Sequence, residues 1–235
     1  MIPLPIRYAE VEAISSATFG TGQRSVALLT PKPRGGSSTL AYALARRVAE
    51  SGKRTLLVEL NLAQPALGAR LALPRFDWTA DDETIAEKAV ALGTSGVHLL
   101  TAPLSAEHVS FREPGLIKAF ITALEQAFDA VIIDCSPLLS KNRGNVPPAL
   151  VARACSSAVL VVPSGGVSEG EMLEAAGICA DAGVAITGAV FNDRKDPRLV
   201  DELCRECDRL NRFLPGLARK LQRWIRGSTF LGQGL

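Results

Sequence analysis

Between an apolar run at residues 25–30 and an Ala/Leu-rich stretch beginning at residue 38 lies TPKPRGGSSTLAYALA, residues 30–45. Two prolines and two glycines break the run, and Ser37, Ser38 and Thr39 open what reads as a helix. A glycine-rich turn feeding a helix N-terminus offers backbone N–H groups and the positive end of the helix dipole, which together hold a phosphate. The phosphate-loop pattern G-x-x-x-x-G-K-[ST] sets a finer standard. Gly36 takes its second glycine and Ser38 its magnesium-binding hydroxyl, but Ser37 stands where the lysine belongs and Pro31 where the first glycine belongs. On this turn alone, a Ser/Thr-capped helix after a tight turn accounts for the residues as well as a phosphate site does.

Residues of this kind need a scaffold that brings several loops side by side. Six short apolar runs supply it: SVALLT (25–30), RTLLVEL (54–60), VHLLTA (97–102), DAVIID (129–134), SAVLVVP (157–163) and AITGAVF (185–191). Most are apolar on consecutive positions, as strands covered on both faces of a parallel sheet must be. Helices are expected at Ser38–Ser51, Asp81–Leu92, Glu113–Phe128, Ser168–Asp181 and from Pro197 onward. The alternation predicts an α/β fold, with a doubly wound, mostly parallel sheet flanked by helices in a three-layer sandwich. Ligands in such sheets bind outside the carboxyl ends of the strands. The polar, Pro/Gly-rich SPLLSKNRGNVPP (136–148) reads as a long loop after the fourth run. Residues 1–24 show no clean periodicity and read as an N-terminal arm, leaving a domain over 25–212 and a basic tail over 213–235.

The second, fourth and sixth runs end in VELNLAQP (58–65), IIDCSP (132–137) and GAVFND (188–193). Together with the first loop these resemble the motifs of the deviant phosphate-loop ATPases, above all the bacterial tyrosine kinases (BY-kinases, CpsD/CapB-like) of capsule and exopolysaccharide systems. LTPKPRGGSS (29–38) resembles that family's T-S-P-x-P-G-E-G-K-S without a gap, and VELNLAQP its V-D-x-D-L-R-x-P. AVIIDCSP (130–137) resembles its Walker B strand, V-I-I-D-x-P-P, and GAVFN (188–192) its G-x-V-x-N. The resemblance implies a P-loop NTPase-like domain and a bound ATP or ADP with magnesium. Phosphates would then lie at the backbone of Gly35, Gly36, Ser37, Ser38 and Thr39, magnesium at Ser38 and Asp134, and the base near Asn192. In an active chain Asp134 would be the catalytic carboxylate.

The departures from the family pattern fall on charge. Ser37 removes the ammonium between the β- and γ-phosphates. The second motif's two aspartates are Glu59 and Asn61 and its arginine is Ala63, while Asp134 is kept. Phosphoryl transfer rests mainly on electrostatic stabilisation, so losing a lysine and a carboxylate corresponds to ~3–6 kcal/mol, or roughly 10² to 10⁴ in rate. Lys32 and Arg34 could bring a cation to the phosphates from another position in the same loop. Arg34 fills a glycine site, which is expected to change the loop's conformation. The family's tyrosine-rich tail is absent, the two tyrosines being Tyr8 and Tyr42. The resemblance therefore implies a degenerate BY-kinase-like protein that binds ATP/ADP with Mg weakly or not at all and is not expected to be an enzyme. It would be the cytoplasmic partner or regulator of an inner-membrane polysaccharide co-polymerase (a chain-length regulator) in exopolysaccharide biosynthesis or export. The family's E-x-x-R-x-x-R-type arm motif is not legible in YAEVEAISSATFG (8–20), which leaves a homo-oligomer open. Two other readings stay open: an active ATPase or tyrosine kinase with an altered loop, and a ParA/MinD-like positioning ATPase.

From Arg209 to the end there are six basic residues and no acidic one. Leu217, Leu221, Trp224 and Ile225 fall on one helical face, with Arg219, Lys220 and Arg223 on the rest of the wheel. That is the composition of an interfacial membrane helix, and equally of a terminal helix laid on its own domain. Arg219, Lys220, Arg223 and Trp224 are the expected membrane or partner contacts, with an anionic membrane surface as one partner. A net charge of +2 over 235 residues gives no reason to expect nucleic acid. No apolar stretch approaches the ~18 residues of a membrane span, the start lacks a signal peptide's core, and five cysteines suit a reducing compartment. The expected location is therefore cytoplasmic, peripheral at the inner membrane if the tail docks there. Cys204 and Cys207 supply two metal ligands where a tetrahedral site needs four. Cys135, Cys155 and Cys179 read as buried thiols, His98 and His108 have no partner pattern, and Glu169 and Glu171 favour the dipole of the helix they begin.

Overall fold

The computed structural model describes residues 9–193, apart from 63, 105–112, 141–145 and 165. The chain divides into two units, Met1–Asn192 and Asp193–Leu235, of which the second is described only at Asp193. All six apolar runs form strands, and a seventh, two-residue strand joins them. They are β1 (Ser25–Leu29), β2 (Thr55–Leu60), β3 (Val90–Ala91), β4 (Val97–Leu100), β5 (Ala130–Cys135), β6 (Ser157–Pro163) and β7 (Ile186–Asn192). One sheet runs β3-β4-β2-β5-β1-β6-β7, parallel throughout except that β3 is antiparallel to β4. The helices are α1 (Ala9–Ala17), α2 (Ser37–Glu50), α3 (Leu67–Arg70), α4 (Pro114–Ala127), α5 (Pro148–Ala154) and α6 (Glu169–Asp181).

Every residue of β1, β2 and β5 is buried, as unbroken apolar runs require. Because side chains alternate across the sheet, the same strands feed two cores. Ala27, Leu29, Val58 and Ile133 face α4, α5 and α6, packing with Phe120, Val151 and Ala175. Val26, Leu28, Leu57 and Ile132 face α1, α2 and α3, packing with Ile14, Leu44 and Leu67. The sheet is thus the middle of three layers. Each Leu, Ile or Phe buried in this way stabilises the fold by about 1.5–3 kcal/mol.

Two stretches differ from their sequence reading. Residues 81–92 do not form the expected helix. Asp82 Oδ1 accepts from Thr84 N–H (2.9 Å) and Thr84 Oγ (2.8 Å), and Lys88 Nζ closes on Asp82 Oδ2 at 2.5 Å. The aspartate side chain competes with helix propagation, so only a 3-10 turn forms at Ile85–Lys88. Val90 and Ala91 then pair with Leu99 and His98 of β4, giving the sheet its antiparallel edge. The arm also holds a helix, α1, whose Val11 and Ile14 are buried while Glu12 ion-pairs Arg47 of α2. With only two apolar residues packed inward, its periodicity is too short to read. Among the described residues no helix is long and apolar enough to cross a membrane.

Candidate functional site

The β1–α2 turn leaves the middle of the sheet at the carboxyl ends of its strands. Its entry is held by the start of the β5–α5 connection, where Leu138 N–H donates to Thr30 O (2.9 Å) and Leu139 N–H to Pro31 O (3.1 Å). Arg34 adopts φ +63° and Gly36 φ +97°. Arg34 itself takes up the left-handed conformation that its glycine site favours, at a cost of about 1–2 kcal/mol. Both glycines are sterically required. A Cβ on Gly35 would overlap Thr30 Oγ1, and one on Gly36 would overlap Asn192 Nδ2. The Ser/Thr cap that the sequence allowed is not formed. Gly36 is the N-cap of α2 and no side chain caps it, so the first-turn N–H groups have no side-chain acceptor. Thr39 N–H and Leu40 N–H turn back to Gly36 O at 3.1 and 3.0 Å.

Two carboxylates lie beneath this turn. Glu59 of β2 and Asp134 of β5 are register partners on adjacent parallel strands, each 1% exposed. Glu59 accepts from Ala66 and Leu67 N–H, both at 2.5 Å, and more loosely from Gly68 (3.3 Å) and Ala102 (3.4 Å). One methylene longer than aspartate, it seats the α3 turn on backbone donors. Asp134 differs. Its buried Oδ1 has no hydrogen-bond partner, and the nearby Ser37 and Ser38 hydroxyls favour its charged form. Burial pushes its pKa up to about 7, the nearby charge of Glu59 adds to the rise, and the two serines and Arg70 oppose it.

The remaining polar residues tie the turn to the β6 side. Asn192, the last residue of β7, donates from Nδ2 to Gly35 O (2.8 Å), while its own carbonyl accepts from Ser164 N–H (2.9 Å) and Oγ (3.1 Å). Lys32 Nζ donates to Gly166 O (3.0 Å) and ion-pairs Glu171 Oε1 (2.7 Å). The fold therefore brings Gly35, Gly36, Ser37, Ser38, Thr39, Asp134 and Asn192 to one place, and sets Lys32 on Glu171. Arg219, Lys220, Arg223 and Trp224, the helix expected from Pro197, Cys204, Cys207, His108 and Ala63 lie outside the described residues. Cys135 and Cys179 are buried thiols and Cys155 is half-buried.

Sequence reading missed two residues. Glu171 reads as a simple helix-start carboxylate. The Ser168-x-x-Glu171 box was legible, whereas its pairing with a lysine 139 positions earlier leaves no local pattern. Glu59 reads as a lost aspartate and serves as the anchor of α3. An anion would meet uncapped α2 amides and the Ser37 and Ser38 hydroxyls, and the unpartnered Asp134 Oδ1 with the Ser38 hydroxyl makes a hard-oxygen pair that fits magnesium.

No protein-family profile and no curated protein sequence matches the chain. Solved structures do. The chimerical protein CapA2B2 superposes with a TM-score of 0.64 at 21% identity, over 77% of this chain and 82% of that one. The kinase domain of the Escherichia coli tyrosine kinase ETK gives 0.62 at 19% identity, over 77% and 74% of the two chains. The septum site-determining protein MinD from Pyrococcus horikoshii, solved with Mg-ADP, gives 0.58 at 21% identity, over 74% and 72%. Strand order, the position of the glycine turn and these superpositions agree: the chain has the fold that these structures share, that of the P-loop ATPases.

Proposed function

We propose that this chain is a catalytically degenerate BY-kinase-like protein that acts by binding, as the cytoplasmic partner of an inner-membrane polysaccharide co-polymerase in exopolysaccharide synthesis or export. The observation that carries the reading is the state of the loop's positive charge. Ser37 fills the lysine position with an uncharged, buried side chain, and Lys32 is ion-paired to Glu171. Without an ammonium on the phosphates, the transition state loses its principal electrostatic support. The backbone cradle persists, and it supports weak binding of ATP or ADP at Gly35, Gly36, Ser37, Ser38 and Thr39. Magnesium would be held by Ser38 and Asp134, and Asn192 would lie beside the base. The MinD structure, of the same fold, is complexed with Mg-ADP, which supports nucleotide binding with magnesium in this chain.

The active-ATPase reading needs Lys32 or Arg34 as a substitute cation, and the pairing of Lys32 with Glu171 counts against the first of these. The tail residues Arg219, Lys220, Arg223 and Trp224 are the proposed membrane or partner contacts. The reading is tested by affinity capture of the tagged full chain from solubilised inner membranes of its own cell, with mass spectrometry of what is retained. A co-polymerase in the eluate is expected, and its absence under cross-linking would contradict the proposal.

A further inference from the structure

We propose that Glu171 is a positioning residue for the phosphate loop, one that withholds the loop's one lysine, Lys32, from a bound polyphosphate or nucleoside polyphosphate. This rests on reading the β1–α2 turn as an anion site. The Lys32 ammonium lies 2.7 Å from Glu171 Oε1 and also donates to Gly166 O at 3.0 Å. The two side chains are 36% and 33% exposed, so the pair is partly shielded from water. Glu171 is itself fixed. Its Oε2 accepts from Ser168 N–H (2.9 Å) and Ser168 Oγ (3.0 Å), while Ser168 Oγ accepts from Glu171 N–H (3.3 Å) to close the capping box of α6. One oxygen thus secures the helix start and the other secures the lysine.

An ammonium in contact with a carboxylate presents almost no net charge to an anion several ångströms away. Since Ser37 stands where the usual lysine would, the ion pair leaves the loop with backbone dipoles, hydroxyls and the Arg34 guanidinium. A polyphosphate chain carries several charges and competes with Glu171 for the ammonium. Lys32 holds the Glu171 carboxyl far below the ordinary range, at about 2, with the Ser168 hydrogen bonds adding to the effect. The carboxylate therefore stays ionised at neutral pH.

The test is calorimetric titration of tripolyphosphate, and separately of Mg-ATP, into the full-length wild type, Glu171→Gln, Lys32→Met and the double variant. Glutamine preserves the capping box and removes only the charge. Glu171→Gln is expected to bind tripolyphosphate about two- to tenfold tighter than wild type. Lys32→Met, which leaves the Glu171 carboxylate bare, should bind more weakly than wild type, and the double variant, neutral like the ion pair, should fall back to about the wild-type value. Acetylation of Lys32, followed by mass spectrometry, should speed up severalfold in Glu171→Gln and slow again when tripolyphosphate is added. Equal labelling of wild type and Glu171→Gln would overturn the proposal. So would a double variant as tight as Glu171→Gln, or faster labelling that neither anion suppresses. If tripolyphosphate shows the gain while Mg-ATP binds none of the four proteins, the role of Glu171 stands and the nucleotide reading of the site fails.

Discussion

Gly36 and Asn192 are 156 positions apart and share one small volume, because the left-handed glycine leaves room for an amide that secures Gly35 O. Gly36→Ala adds both a left-handed strain of about 1–2 kcal/mol and an overlap with the Asn192 amide. Urea denaturation should show Gly36→Ala losing at least about 2 kcal/mol. Adding Asn192→Gly removes the overlap, so the double variant should lose less than the sum of the two single losses by about 1 kcal/mol. Strict additivity would mean that the two residues do not meet.

Asp134 carries the second prediction at this scale. Its native value, about 7, lies above its ordinary 3.8, so between those pH values the folded chain holds a proton that the unfolded chain releases. Stability linked to this group is fully present below about pH 4 and is lost as pH rises through about 7. Asp134→Asn should therefore be more stable than wild type by about 1–3 kcal/mol at pH 8 and by much less at pH 4, measured by chemical denaturation at both values. A gap independent of pH would contradict the assignment. That Gly35, Gly36, Ser37, Ser38 and Asp134 lie at one end of the sheet was legible in the sequence, because each stands at or just after the carboxyl end of a recognisable strand. The partners of Lys32 and Glu59 were not, because they are set by where distant loops meet and not by spacing along the chain.

At the scale of elements, the sheet was the most legible part. Continuous apolar runs fix both the presence of a strand and the burial of its two faces, and all six expected strands lie within a residue or two of their predicted bounds. The stretch at 81–92 failed because the helical pattern there competed with an aspartate turn and an open edge beside β4. Helix α4 shows what packing adds. Phe120 is 1% exposed and stacks on Trp78 with ring centroids 5.7 Å apart, while Trp78 Nε1 donates to Thr101 O at 2.8 Å. Phe120→Ala should cost about 3–5 kcal/mol and shift Trp78 fluorescence to longer wavelength. A loss under 1 kcal/mol would show that α4 is not clamped to the sheet through this pair.

Across the whole molecule, the chain keeps the fold of the structures it superposes on, with Ser37 at the loop's lysine position. The sheet order, the glycine turn and the carboxylate beneath it follow the P-loop plan. Glu59 sets its carboxylate on the α3 amides and Lys32 sets its ammonium on Glu171, while Ser37 and Asn61 carry no charge. The most direct measurement is steady-state ATP hydrolysis by the purified full chain with magnesium, beside its Asp134→Ala variant. Release no faster than buffer, and unchanged by the substitution, is the result predicted here. Turnover above buffer that vanishes in Asp134→Ala would contradict it.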